Sequence, residues 1–124
     1  MERYKLREFS VWAKRTGLSD SRLNKADEMN HGLVGSRLGA DVYKKRIAVP
    51  GKGKRGGART ILVFKRDELA VFIYGYAKNE KDDLSTREEL GLRLFAKELL
   101  KLSAVERRER AQNGSFVIVG KAGK

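Results

Sequence analysis

Residues 42–77 read VYKKRIAVPGKGKRGGARTILVFKRDELAVFIYGYA, and the fold turns on how they are read. Three runs of strand-forming residues stand close together there. Residues 42–49 are the first, ended by Pro50-Gly51. Residues 59–65 are the second, carrying Thr60, Ile61, Val63 and Phe64, residue types that favour a pleated surface. Residues 69–77 are the third, reached through the polar turn Arg66-Asp67-Glu68. Connections this short join antiparallel neighbours, so the stretch predicts a three-stranded meander.

Working outward, residues 5–16 predict a helix, with Leu6, Phe9, Trp12 and Ala13 on one face and Gly17 as its stop. Ser19 or Asp20 can cap a second helix running to about Asn30. Gly32, Gly35 and Gly39 predict a loop before the sheet. Beyond the sheet, Ser85 stands three residues before Glu88 and Ser103 three before Glu106, two capping boxes that open two helices. The apolar run 116–119 predicts a last strand. The order αα–βββ–αα–β gives an α+β fold, a small central antiparallel sheet flanked by helices. With 124 residues, 40% of them hydrophobic, the chain has apolar content for one core. The reading is one domain over 1–119 and a flexible basic tail over 120–124.

Lys and Arg number 28 against 16 Asp and Glu, a net charge of +12, which calls for an anionic partner. The charge is not spread evenly. Residues 42–81 hold eleven bases against the three acids Asp67, Glu68 and Glu80, a net +8. Alternation puts Lys44 and Arg46 on one face of the first strand, and Phe72, Tyr74, Tyr76 and Lys78 on one face of the third. Basic and aromatic strips on one small sheet suit a surface that neutralises phosphates and stacks unpaired bases. Between the first two strands, residues 50–59 carry four glycines and the cations Lys52, Lys54, Arg55 and Arg59. Glycine lets backbone amides approach an anion and the cations supply the field. A nucleotide-binding P-loop is excluded, because no Gly-Lys-Ser/Thr ending leads into a helix.

Other chemistries are scarce. The chain has no cysteine, so it has no disulfide framework and no thiolate metal site. The single His31 falls at an expected helix end, where histidine serves as a cap. No paired carboxylates stand in the basic zone, so a metal-dependent nuclease is not expected, nor is any cofactor. No apolar run can span a bilayer and no leader-like stretch opens the chain, which reads as cytoplasmic without a membrane partner. One reaction needs neither metal nor histidine. An RNA 2′-hydroxyl attacks the adjacent phosphate when the strand is held in line and the phosphorane charge is stabilised.

The block 42–46, the block Gly51-Lys52-Gly53-Lys54-Arg55-Gly56-Gly57-Ala58-Arg59-Thr60 and the block Phe72-Ile73-Tyr74-Gly75-Tyr76-Ala77-Lys78-Asn79-Glu80 resemble the RelE/HigB family of bacterial toxins. The resemblance implies a microbial RNase-like, RelE-like fold. It implies the toxin of a type II toxin–antitoxin pair, a ribosome-dependent mRNA endoribonuclease that inhibits translation without a metal. Its partners would be mRNA on the ribosome and a cognate antitoxin carrying a helix-turn-helix domain. Carried onto this chain, the catalytic residues are Lys44, Arg46, Arg59 and Lys78, with Lys81 as the alternative to Lys78. Lys52, Lys54, Arg55, Tyr74, Tyr76 and Lys81 would bind RNA. The sequence departs from the family twice. Where the best-known members have a lysine as general base this chain has Arg46, so Lys44 or Lys54 takes the proton. Where some members stack a C-terminal tyrosine on the base this chain has Leu84-Ser85, so Tyr74 or Tyr76 substitutes. Two other readings compete: a ParE-type toxin, which shares the fold, binds gyrase and cuts no RNA, and a nucleic-acid-binding module without activity, which net charge does not separate from an enzyme. The dense phosphate-binding pattern argues for the nuclease.

Overall fold

The structure is a computed structural model that describes residues 1–32, 35–51 and 57–120, with the side chains of all these except Glu28, Asn30 and His31. Lys52, Lys54 and Arg55, the residues of the tail beyond Gly120, and the His31 side chain lie outside the described residues. The elements run β1 (Glu2–Leu6), α1 (Arg7–Thr16), α2 (Asp20–Leu23) continued by a 3-10 segment (Asn24–His31), β2 (Ser36–Gly39), β3 (Val42–Ile47), β4 (Ala58–Lys65), β5 (Leu69–Ala77), α3 (Thr86–Leu100), α4 (Ala104–Gln112) and β6 (Phe116–Ile118). They form an α+β fold around one six-stranded sheet of order β2-β3-β4-β5-β1-β6.

The predicted meander is the middle of this sheet: β3, β4 and β5 pair antiparallel in sequence order. The helix signals also hold. Gly17 ends α1 in the left-handed conformation, and its N–H donates to the carbonyls of Ala13 and Lys14. Ser19 caps α2, and both capping boxes are formed, Ser85 with Glu88 and Ser103 with Glu106.

Three expectations are corrected. The first helix starts at Arg7, because residues 2–6 are a strand, β1, lying inside the sheet between β5 and β6. Its pairing with β5 is parallel, so the sheet is not wholly antiparallel. Its charges hid it, and each finds a partner far along the chain. Arg3 bonds both oxygens of Asp27 at 2.9 and 2.7 Å, and Arg107 bonds both oxygens of Glu2 at 3.0 and 2.8 Å. The buried Lys5 donates to Asp20 at 2.6 Å. Burial alone would raise the Asp20 carboxyl, but the bonds from Lys5 and the Gly120 N–H hold it below the usual range.

The second correction is β2, an edge strand where the glycines predicted only a loop. It turns into β3 through Ala40 and Asp41, at φ 53° and 62°, the two left-handed positions of a tight hairpin.

The third concerns the face of β5. Tyr74 pairs with Ile61, but Phe72 pairs with the next residue, Leu62, so Ile73 is an extra residue in the strand. Such a bulge shifts the alternation by one. Phe72 therefore joins Phe9, Trp12 and Ala13 in the core under α1, while Ile73, Tyr74 and Tyr76 face the layer of α3 and α4. Phe72 does not share a face with Tyr74 and Tyr76.

The sheet is thus covered on both sides. α1, α2 and the 3-10 segment seal one face through Phe9, Trp12, Leu23 and Met29. Ala96 and Leu99 of α3 seal part of the other. Gly91 lies in the interior of α3, exposed, with nothing within 4 Å of where a Cβ would stand. Glycine costs about 1 kcal/mol against alanine in a helix interior. Gly91→Ala should therefore stabilise the protein by about that amount, read as a higher urea midpoint at an unchanged slope. No helix among the described residues is long and apolar enough to cross a membrane.

Candidate active site

The register of β3, β4 and β5 builds the site from the backbone up. Arg46 of β3 stands opposite Arg59 of β4, and Arg59 stands opposite Tyr76 of β5. One step along, Lys44, Ile61 and Tyr74 form the next row. Alternation from Val42, Ile61 and Val63 puts Lys44, Arg46 and Arg59 on the face of α3. The bulge at Ile73 brings Tyr74 and Tyr76 to the same face.

Two arginines directly across a strand pair repel each other and destabilise the sheet. Arg59 is half-buried and its guanidinium donates to the Gly57 carbonyl at 3.4 Å, while Arg46 is exposed. A like-charged pair held across two neighbouring strands is what an anion between the two guanidinium groups would stabilise.

The chain after β5 closes the side of this row. Asp83 Oδ1 accepts from Lys44 Nζ at 3.0 Å, from Tyr76 OH at 3.3 Å and from the Leu84 N–H at 2.8 Å. The bond from Lys44, and after it that from Leu84, holds the Asp83 carboxyl below the usual carboxylate range. Burial, then the Asp83 charge and hydrogen bond, push the Tyr76 phenol up to about 12. Tyr76 is therefore a protonated donor at neutral pH. Its ring is only 2% exposed and offers no face for stacking.

Tyr74 is the more open ring. Lys81 Nζ lies 5.6 Å from its centroid and donates to its hydroxyl at 3.4 Å. Lys81 is also bonded to Glu88, which raises the lysine and lowers the carboxyl. Beside them Tyr74, Glu88, Gly91 and Leu92 line a shallow hollow of about 230 Å³. Hollows of about 260 and 290 Å³ lie elsewhere, around Met29 and Tyr43 and around Glu2 and Arg107.

Of the residues expected from sequence, the fold brings together Lys44, Arg46, Arg59, Tyr74, Tyr76 and Lys81. Lys78 is exposed in the turn that follows β5, two residues beyond Tyr76. The sequence reading missed Asp83 and Glu88. Asp83 lies two residues beyond the end of the basic segment, and Glu88 was read only as half of a capping box. The signal was an acid just before that box and another within it, following a strand of alternating tyrosines. Among the described residues no three His, Cys, Asp or Glu side chains are grouped to hold a metal ion.

A family model described as the RelE toxin of the RelE/RelB toxin–antitoxin system matches residues 1–119. No curated protein matches the chain. The match spans the whole sheet, both helical layers and the arginine row: the chain belongs to the RelE toxin family of toxin–antitoxin systems, and that membership implies a cognate antitoxin as its partner.

Proposed function

We propose that this toxin is a ribosome-dependent endoribonuclease that cleaves mRNA without a metal ion. The observation that carries the reading is the cross-strand pair Arg46 and Arg59, two like charges fixed opposite each other beside Lys44 and the Tyr76 hydroxyl. An RNA phosphate seated between them relieves the repulsion and is polarised by both guanidinium groups. In the reaction the 2′-oxygen forms a bond to phosphorus as the bond to the 5′-oxygen breaks, leaving a 2′,3′-cyclic phosphate and a 5′-hydroxyl end. Arg59 holds the charge that develops on the phosphorane oxygens. One of Lys44 and Lys54, as the free amine, takes the proton of the 2′-hydroxyl, and the other, as the ammonium, gives a proton to the leaving 5′-oxygen. Tyr74, with the apolar hollow beside it, is the ring on which an adjacent base stacks. Lys52, Lys54 and Arg55 extend the phosphate contacts along the strand, and the antitoxin carries a helix-turn-helix domain.

The test is primer extension on cellular mRNA after the protein is induced, with and without translation blocked. Cuts inside translated frames that vanish when initiation is blocked are the expected result. Loss of DNA supercoiling with intact mRNA would assign the protein instead to the ParE-type branch. In a purified system, cleavage should persist when trace transition metals are chelated and the ribosome keeps its Mg2+. Activity restored only by added Zn2+ or Mn2+ would overturn the metal-independent mechanism.

A further inference from the structure

Three donors beside the arginine row converge on a single atom, Asp83 Oδ1. One donor is the backbone N–H of Leu84, immediately before the Ser85 cap of α3, so the oxygen is tied to a regular element. The other two come from the strands on either side of Arg59: the Lys44 ammonium from β3 and the Tyr76 hydroxyl from β5. An exposed ion pair by itself holds a lysine only weakly, because the long side chain has many other rotamers. This one differs, since the carboxylate is fixed by a backbone donor and a buried phenol.

We propose that Asp83 is a positioning residue, which holds the Lys44 ammonium and the Tyr76 hydroxyl in place beside the Arg46–Arg59 row. Its catalytic consequence rests on the endoribonuclease reading above. Asp83 touches no reacting atom and acts through Lys44 and Tyr76. A carboxylate beside a phosphate site opposes RNA binding, so a residue acting only through its charge would slow the protein, and its removal would speed it. Positioning gives the opposite sign for the rate.

Asp83→Asn keeps an acceptor oxygen for Leu84 and Tyr76 and removes the charge that fixes Lys44. On programmed ribosomes its single-turnover rate constant should fall about tenfold, the scale of a sub-ångström misplacement of a reacting group. Its affinity should stay equal or become tighter, and its melting temperature should stay within a degree or two of wild type. Asp82→Asn makes the same charge change one residue earlier, on an exposed side chain, and should leave the rate unchanged. In a Lys44→Ala background, Asp83→Asn should cost little more, because the group it positions is gone.

An unchanged rate in Asp83→Asn overturns the proposal, as does a faster rate with tighter binding. A parallel fall in rate, affinity and melting temperature would make Asp83 a structural residue and overturn it too. If the wild-type protein cuts no RNA, the endoribonuclease reading fails, and the positioning is read in binding instead. The affinity for a 2′-O-methyl RNA oligonucleotide is then measured for wild type, Lys44→Ala, Asp83→Asn and the double variant. Coupling of about threefold or more between the two positions supports the proposal, and additive effects overturn it.

Discussion

Gly75→Ala should destabilise this protein by about 3 kcal/mol, the upper end of what one added methyl group costs in a packed core. The cause is contact, not backbone conformation. A Cβ on Gly75 would stand 2.2 Å from one Trp12 ring carbon and 2.6 Å from two others. Trp12 has no room to retreat, since it is 8% exposed and its ring lies 5.4 Å from that of Phe9, which stacks at 5.4 Å on Phe72. Either α1 lifts from the sheet or β5 shifts, and Gly75 sits between Tyr74 and Tyr76 in that strand. Cleavage should therefore fall together with stability. In chemical denaturation the midpoint should drop at an unchanged slope, and the melting temperature should fall by about 10 °C. Trp12→Leu in the same chain should restore part of the loss by opening the space. A melting temperature equal to wild type would show that α1 packs elsewhere on the sheet.

The same glycine shows what a sequence can and cannot disclose. The strand β5 was legible at both ends because its residues suit a pleated sheet and polar turns bound it. Its facing was not, because the bulge at Ile73 is set by how β5 pairs with β4, and pairing is a property of two segments. Strand β1 was hidden for a related reason. Glu2, Arg3 and Lys5 look like surface charges until Arg107, Asp27 and Asp20 arrive from elsewhere in the chain. The cations of the candidate site were legible because β3 and β4 alternate regularly, so Lys44, Arg46 and Arg59 reach one face. The acids that hold the site were not. Their role depends on α3 folding back beside β3, which brings Asp83 to Lys44 across 39 residues of chain.

Arg59→Lys should lower the rate constant of cleavage by about 10²–10³, the loss seen when one preorganised donor is removed from a developing anion. Arg59 is the residue of the row with neighbours on both sides, Arg46 across one strand pair and Tyr76 across the other. Its backbone is fixed in a central strand, and its guanidinium is steadied by the Gly57 carbonyl. A guanidinium can place two parallel N–H groups on two phosphate oxygens, and an ammonium cannot copy that fork. The substitution keeps the charge, so ground-state attraction for RNA should change less than tenfold, with Arg46 and Lys44 still present. The fold should persist, because Arg59 is only half-buried, and the adjacent Ala58 and Thr60, both fully buried, supply the packing on the opposite face. Lysine even relieves part of the crowding of two planar cations, so the melting temperature should not fall. The measurement is single-turnover cleavage on programmed ribosomes beside a binding titration and a thermal melt. A wild-type rate in Arg59→Lys would reduce the residue to a surface charge and move the transition-state contact to Arg46. A loss shared equally by rate and binding would mean that Arg59 grips the strand before reaction and gives nothing further as the phosphorane forms.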